Sequence, residues 1–114
     1  MSAGITTIIY PVTDLAKAKR LFTEVLGTPP DYDQPYYVGW NVEGQNIGLD
    51  PHGHSKGMTG PLPYVQVEDI KSTLQTLLDA GAEPHQDVRN VGGGRLIAAV
   101  KDPDGNVIGL LQPE

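Results

Sequence analysis

Residues Lys101–Gln112 read "KDPDGNVIGLLQ". Two aspartates, a proline and a Gly-Asn pair make a turn, and an apolar run with glycine at its centre follows. Asn41–Asp50 reads "NVEGQNIGLD". The plan is the same: a turn carrying Gly and Asn, then "NIGL" at Asn46–Leu49 where the later stretch has "VIGL" at Val107–Leu110. Glycine inside a strand weakens it and often marks a close approach of another group. Two such strands point to a duplicated unit, and the duplication decides the fold.

The repeat extends upstream. "IIYPVTDLAKAKRLFTEVLG" (Ile8–Gly27) lies over "PYVQVEDIKSTLQTLLDAGA" (Pro63–Ala82), with Val12 on Val67, Asp14 on Asp69, Leu15 on Ile70 and Phe22 on Leu77. In each copy a β-branched or aromatic run (Ile5–Val12; Pro63–Val67) reads as a strand. Asp14 and Asp69 then fit helix starts, where a carboxylate accepts backbone N–H bonds. Leu15, Ala18, Phe22 and Val25 have helical spacing, as do Ile70, Leu74, Leu77 and Leu78. Gly27 and Gly81 fit the left-handed stop. Strands follow at Tyr36–Val42 and Asn46–Asp50, then at Arg95–Lys101 and Val107–Gln112, with short ones near Thr28–Asp33 and Pro84–Val91. The order is βαβββ twice. This makes an α+β domain over residues 1–114, with module one over 1–52, a polar Gly/Pro-rich linker over 53–60 and module two over 61–114.

Composition limits the function. The chain has 114 residues and a net charge of −6, so no basic surface is available for nucleic acid, and nothing suggests an anionic membrane as partner. With no cysteine, disulfides, thiolate metal sites and a Cys nucleophile are excluded. The apolar N-terminal stretch has strand length, too short for a signal peptide or membrane span, and a cytoplasmic protein is expected.

Alternation assigns the strand faces. A turn at Val42–Gln45 pairs Asn41 with Asn46, Gly39 with Gly48 and Tyr37 with Asp50, all on one face. Val38, Trp40, Val42, Ile47 and Leu49 then face the helix layer. In module two, Val107, Gly109 and Leu111 share a face with Ala99, Ile97 and Arg95. Leu62, Tyr64 and Gln66 join from one leading strand, Thr7 and Ile9 from the other. A small floor (Gly39, Gly48, Gly109, Ala99) ringed by Tyr37, Tyr64, Asn41, Asn46, Gln66, Asp50 and Arg95 suits a flat organic ligand. The plainer alternative is that the glycines only let the sheet curl.

The paired βαβββ modules, the V-x-D entering each helix (Val12–Asp14, Val67–Asp69) and the closing "DPDGN" with Leu110 four residues on resemble the glyoxalase/bleomycin resistance/extradiol dioxygenase group, the vicinal oxygen chelate superfamily. The resemblance spans nearly the whole chain. It implies a cup-shaped mixed sheet with helices outside, a ligand site in the cup, and a homodimer. In enzymatic members a His from the first strand and a Glu from the last strand of each module hold a divalent metal. Those positions fall here on Thr7, Gly48, Leu62 and Gly109. One hydroxyl among them does not make a divalent site, which needs several N, O or S donors, so no metal or cofactor is expected.

Other candidates are weaker. His52 and His54 beside Asp50 are acceptable ligand types, yet two alternate histidines in a loop bind specifically only with a third fixed ligand. His85 reads as exposed. "VGGGR" (Val91–Arg95) lacks phosphate-loop spacing and precedes a strand; it reads as a hairpin tip, or as a flap whose Arg95 pairs an acidic ligand. Trp40 belongs to the core, and Tyr37 is the better pocket residue. Tyr37, Asp50 and Tyr64 are the candidates for acid/base chemistry. The expected function is metal-free binding of a small planar or aromatic molecule. The alternatives are a lyase, isomerase or dioxygenase with displaced ligands, and a dimerisation or regulatory module.

Overall fold

The structure is a computed structural model and describes residues 2–114. The elements run β1 (Ser2–Pro11), α1 (Leu15–Leu26), β2 (Tyr32–Gln34), β3 (Tyr37–Val42) and β4 (Gln45–Asp50). After a 3₁₀ turn at His54–Lys56 come β5 (Leu62–Val67), α2 (Ile70–Asp79), β6 (Glu83–Asn90), β7 (Leu96–Lys101) and β8 (Val107–Gln112). This is the α+β plan of two βαβββ modules. Two units form, Thr7–Leu62 and residues 2–6 with Pro63–Glu114.

In the first unit the strand order is β2-β3-β4-β1. β1 and β4 run parallel, with Thr7 beside Asn46 and Ile9 beside Gly48. β3 and β4 are antiparallel, with Gly39 opposite Gly48 and Asn41 opposite Asn46, the register that the turn chemistry of residues 42–45 predicts. Helix α1 starts where Asp14 accepts the Lys17 N–H at 3.0 Å, a side-chain cap on an otherwise orphaned donor. It ends at Gly27, whose φ of 73° suits a residue without Cβ. The helix covers buried Val38, Trp40 and Leu49 with Leu15, Ala18, Phe22 and Leu26. The Phe22 ring sits 4.9 Å from Tyr10 and 6.1 Å from Trp40, and the Trp40 indole donates to Thr28 O at 2.9 Å. Val25, a core position by spacing, is instead 78% exposed. Successive helical residues are about 100° apart, so Val25 and Leu26 flank the same stripe, and the sheet takes Leu26.

The second unit repeats the plan in the order β5-β8-β7-β6. β5 and β8 are parallel, with Tyr64 beside Gly109 and Gln66 beside Leu111. β7 and β8 are antiparallel, with Ala99 opposite Gly109 and Ile97 opposite Leu111. Helix α2 is capped by Asp69, which accepts from Ser72 N–H at 3.2 Å. A second cap comes from far along the chain: Ile70 N–H donates to Gln112 Oε1 at 2.8 Å. The helix closes through Ala80, followed by Gly81 at φ 106°. Val67, Ile70, Ala98 and Leu110 form the buried core, with Val65, Leu74, Leu77, Val88 and Leu96 packed around it.

The "DPDGN" turn closes on its first residue. The Asp102 carboxylate accepts from the backbone N–H of Asp104 and Asn106 and from Asn106 Nδ2, each at 2.9 Å. Donation by Asn106, first from its side chain and then from its backbone, holds the Asp102 carboxyl below its ordinary value. Among the described residues no helix is long and apolar enough to cross a membrane.

Candidate functional site

Within the first unit, Tyr37 opens β3 and its ring lies back across the neighbouring glycines. A Cβ added at Gly39 would stand 3.1 Å from Tyr37 Cε2. One added at Gly48 would overlap the Tyr37 hydroxyl and Cζ, and stand 2.9 Å from Cε1. Gly48 is therefore glycine because an aromatic ring occupies the space a side chain would fill. Where the strand pattern suggests a bare glycine floor, the floor is a tyrosine face. Tyr37 also meets Tyr32, with ring centroids 6.2 Å apart, and Tyr32 meets Tyr36 edge-on at 6.2 Å. Tyr32 and Tyr36 are both large exposed aromatics, and their hydroxyls are hydrogen-bonded to one another. That bond, with some desolvation, raises the Tyr32 pKa.

Beside the ring sits an amide pair. Asn41 Nδ2 donates to Asn46 Oδ1 at 3.0 Å, and Asn41 Oδ1 accepts from Gly44 N–H at 3.3 Å. The Asn41 backbone N–H is held by Asp31 at 2.7 Å. Thr7 and Ile9, register partners of Asn46 and Gly48, extend the same face.

Asp50 ends β4 and is 8% exposed. One carboxylate oxygen accepts from His52 N–H and the other from Lys56 Nζ, both at 2.8 Å. Its carbonyl accepts from Val12 and Gly53, and Gly53 is buried tightly on Pro11, whose Cβ would be 2.6 Å from an added Cβ. Asp50 thus ties the 50–58 loop to the end of β1. Such an arrangement satisfies a desolvated carboxylate rather than freeing it for chemistry. His52 and His54 are exposed. Asp50, His52 and His54 are not gathered into a ligand set: among the described residues no group of three or more His, Cys, Asp or Glu is placed to hold a metal.

The second unit uses the same device. Tyr64, buried on β5, lies over its parallel partner Gly109. A Cβ at Gly109 would fall 2.6 Å from Tyr64 Cδ1, 2.8 Å from Cε1 and 2.9 Å from Pro63 O. On β7, at β8's other edge, Ala99 stands opposite Gly109 and Ile97 opposite Leu111. Gln66 Oε1 accepts from Thr6 Oγ1 at 3.4 Å, and Leu62 begins β5, half-buried. Arg95 stands just ahead of β7. The expected strand from Arg95 begins one residue later, because Gly92, Gly93 and Gly94 all take positive φ and the Arg95 carbonyl closes the turn onto Val91 N–H at 2.9 Å.

The strand pattern puts the tyrosines and glycines on common faces but does not reveal that the rings lie on the glycines. The signal was available in the pairing: Tyr64 stands directly beside Gly109, and Tyr37 lies two residues from Gly39, itself opposite Gly48. Lys56 and Tyr32 were not singled out from the sequence. A loop partner and an exposed edge tyrosine leave no periodic mark.

The family model for the Glyoxalase/Bleomycin resistance protein/Dioxygenase superfamily matches residues 4–110. The probable lactoylglutathione lyase of Vibrio parahaemolyticus is 30% identical over 128 residues, covering 98% of this chain and 93% of its own. Two solved structures share the fold. One, described as NAD-dependent benzaldehyde dehydrogenase from Legionella pneumophila, has a TM-score of 0.75 at 17% identity, with 95% of this chain and 98% of that one covered. The other, a glyoxalase/bleomycin resistance protein/dioxygenase superfamily member from Vibrio splendidus, has a TM-score of 0.73 at 17% identity, covering 99% and 100%. At that identity the two structures speak to fold alone.

Proposed function

Because the chain belongs to the glyoxalase/bleomycin resistance protein/dioxygenase superfamily, we propose that it is a binding member of that group which sequesters a small planar or aromatic organic molecule without a metal. The observation that carries this reading is the ring of Tyr37 lying on Gly48. The positions at which the resemblance puts metal ligands are Thr7, Gly48, Leu62 and Gly109. A glycine under a tyrosine ring offers no donor, leucine offers none, and a lone hydroxyl does not hold a divalent ion. The residues present do not fit the family's metal.

What they fit is a flat, weakly polar guest. Tyr37, Tyr32 and Tyr36 supply aromatic surface, where ring–ring contacts add about 0.5–1.5 kcal/mol beyond area burial. Asn46 Nδ2, which has no acceptor among the described residues, supplies a donor to orient the guest. We take the assembly to be a homodimer. Thermal-shift titration with Ni²⁺, Mn²⁺, Fe²⁺ and Zn²⁺ is expected to show no stoichiometric binding. A screen of small aromatic compounds is expected to raise the Tm in wild type and not in Tyr37→Ala. A tight metal, one per chain, or ligand binding indifferent to Tyr37 would refute the reading. Sedimentation velocity tests the dimer.

The Vibrio relative, named as a probable lyase, favours a second reading, an enzyme working by acid/base chemistry at Tyr37 or Tyr64. Asp50 is a poor base in that scheme, with both carboxylate oxygens engaged. Lactoylglutathione lyase activity that survives chelator and falls in Tyr37→Phe would support it.

A further inference from the structure

The chain has five tyrosines, and two of them are exposed, Tyr32 at 46% and Tyr36 at 52%. Tyr10 and Tyr37 are half-buried and Tyr64 is buried. The two that a reagent in solution can reach are also joined. Their hydroxyls are hydrogen-bonded to one another, and their rings meet edge-on, with centroids 6.2 Å apart and planes at 88°.

The hairpin makes this meeting. Tyr32 opens β2 opposite Gly39 of β3, and Gln34 stands opposite Tyr37. Pro35 and Tyr36 are the turn between the strands, and the fixed φ of proline steadies it. Tyr36 therefore leaves the turn with its hydroxyl on that of Tyr32, four residues earlier. Tyr37 also lies near Tyr32, at 6.2 Å and tilted by 58°. Its hydroxyl, however, is carried over Gly48 on β4, away from β2.

Touching hydroxyls have a chemical consequence. One-electron oxidation of a phenol spreads the unpaired electron onto the carbons ortho to oxygen. Those carbons, Cε1 and Cε2, adjoin the Cζ that bears the hydroxyl, so two rings whose oxygens touch bring an ortho edge of each together. Holding the two groups there turns a bimolecular encounter into an intramolecular step.

We propose that Tyr32 and Tyr36 are an oxidative modification site, a pair that hydrogen peroxide, acting through a haem peroxidase, couples into an internal dityrosine. Each phenol gives up one electron and its hydroxyl proton. The two phenoxyl rings join by a C–C bond between one ortho carbon of each. The hydrogen on each joined carbon leaves as a proton and each oxygen takes a proton back, which restores both phenols. The chain loses two hydrogen atoms in all, and hydrogen peroxide is reduced to two waters. The product ties β2 to the turn that follows it. Its two hydroxyls lie side by side, so loss of one proton is favoured by a hydrogen bond from the other. Oxidation thereby gives this edge a group that ionises more easily than either tyrosine alone. The inference goes beyond the binding reading and requires no guest.

The test treats the intact chain with hydrogen peroxide and a haem peroxidase and reads intact mass, dityrosine fluorescence and a denaturing gel. The expected product is a monomer lighter by two hydrogens, with the link mapped to Tyr32 and Tyr36 by fragment mass spectrometry. Tyr32→Phe and Tyr36→Phe keep the rings and are each expected to lose this product, while Tyr37→Phe keeps it. In unfolding urea the yield, normalised to the coupling of free tyrosine in the same urea, is expected to fall at least several-fold. The proposal fails if wild type forms no internal link, if the product is chiefly cross-linked dimer, if Tyr36→Phe retains the internal link, or if unfolding leaves the yield unchanged. With no guest present, such a failure leaves the binding reading standing, and failure of ligand binding leaves the cross-link standing.

Discussion

Tyr37 lies on Gly48: the ring from the start of one strand fills the space a side chain would take in the middle of the next. Gly48 does not have positive φ, so its need to be glycine is steric and not conformational. Gly48→Ala is expected to lower stability by about 1–3 kcal/mol, the usual cost of overpacking, seen as a Tm loss of several degrees. In the Tyr37→Ala background the same substitution should cost far less, giving a coupling energy within the 0.5–3 kcal/mol of contacting pairs. Additive effects in that cycle would show that the ring does not sit where the structure puts it.

The partner pair in the second unit should behave differently. An alanine at Gly109 meets the Tyr64 ring and also the Pro63 carbonyl at 2.9 Å, and backbone does not swing aside. Gly109→Ala is expected to remain destabilising even with Tyr64→Ala. Thermal denaturation of the four variants should return a smaller coupling for Tyr64–Gly109 than for Tyr37–Gly48.

Removing Gln112 should loosen α2. Gln112→Ala leaves the N–H of fully buried Ile70 without its 2.8 Å acceptor, at a cost of about 1–3 kcal/mol for an unsatisfied buried group. Hydrogen exchange is expected to speed in the first turn of α2 more than elsewhere. Uniform acceleration across both units would contradict a local cap.

Asp50 and Lys56 form an asymmetric pair. The Lys56 side chain is 60% exposed and that of Asp50 11%. Asp50→Ala removes acceptors for Lys56 and for His52 N–H together, and is expected to cost about 1.5–3 kcal/mol. Lys56→Ala is expected to cost under about 1 kcal/mol, as for a largely solvated partner. Equal effects in urea denaturation would argue against a carboxylate that organises the loop.

Asp102 makes stability acid-sensitive. Its folded pKa lies below the unfolded value of 3.8, so its stabilising contribution is complete above that value and is lost as pH falls through the lower folded value. The stability difference between wild type and Asn106→Ala should therefore be constant near neutrality and shrink in acid. A difference that widens in acid would reverse the sign.

The sequence carries the parts of this fold that follow from periodicity and capping. Asp14 and Asp69 mark the helix starts because a short carboxylate reaches the third N–H on, and the 41–46 and 39–48 pairings follow from turn length. Three things are not written that way. Val25 and Leu26 flank the apolar stripe alike, so only the sheet chooses between them. The direction of the Tyr37 and Tyr64 rings is a rotamer choice made by packing. The Asp50–Lys56 pair depends on a compact loop that has no period.

Trp40 is the one tryptophan of the chain, sealed at 2% exposure with its indole bonded to Thr28. The second unit has no indole at all, so tryptophan fluorescence, excited at the red edge where tyrosine does not absorb, is a private reporter of the first unit, while circular dichroism sees both helices. Coincident melting curves from the two probes would mean one cooperative transition; a gap between them would measure, without any label, how far one half of the duplication stands without the other.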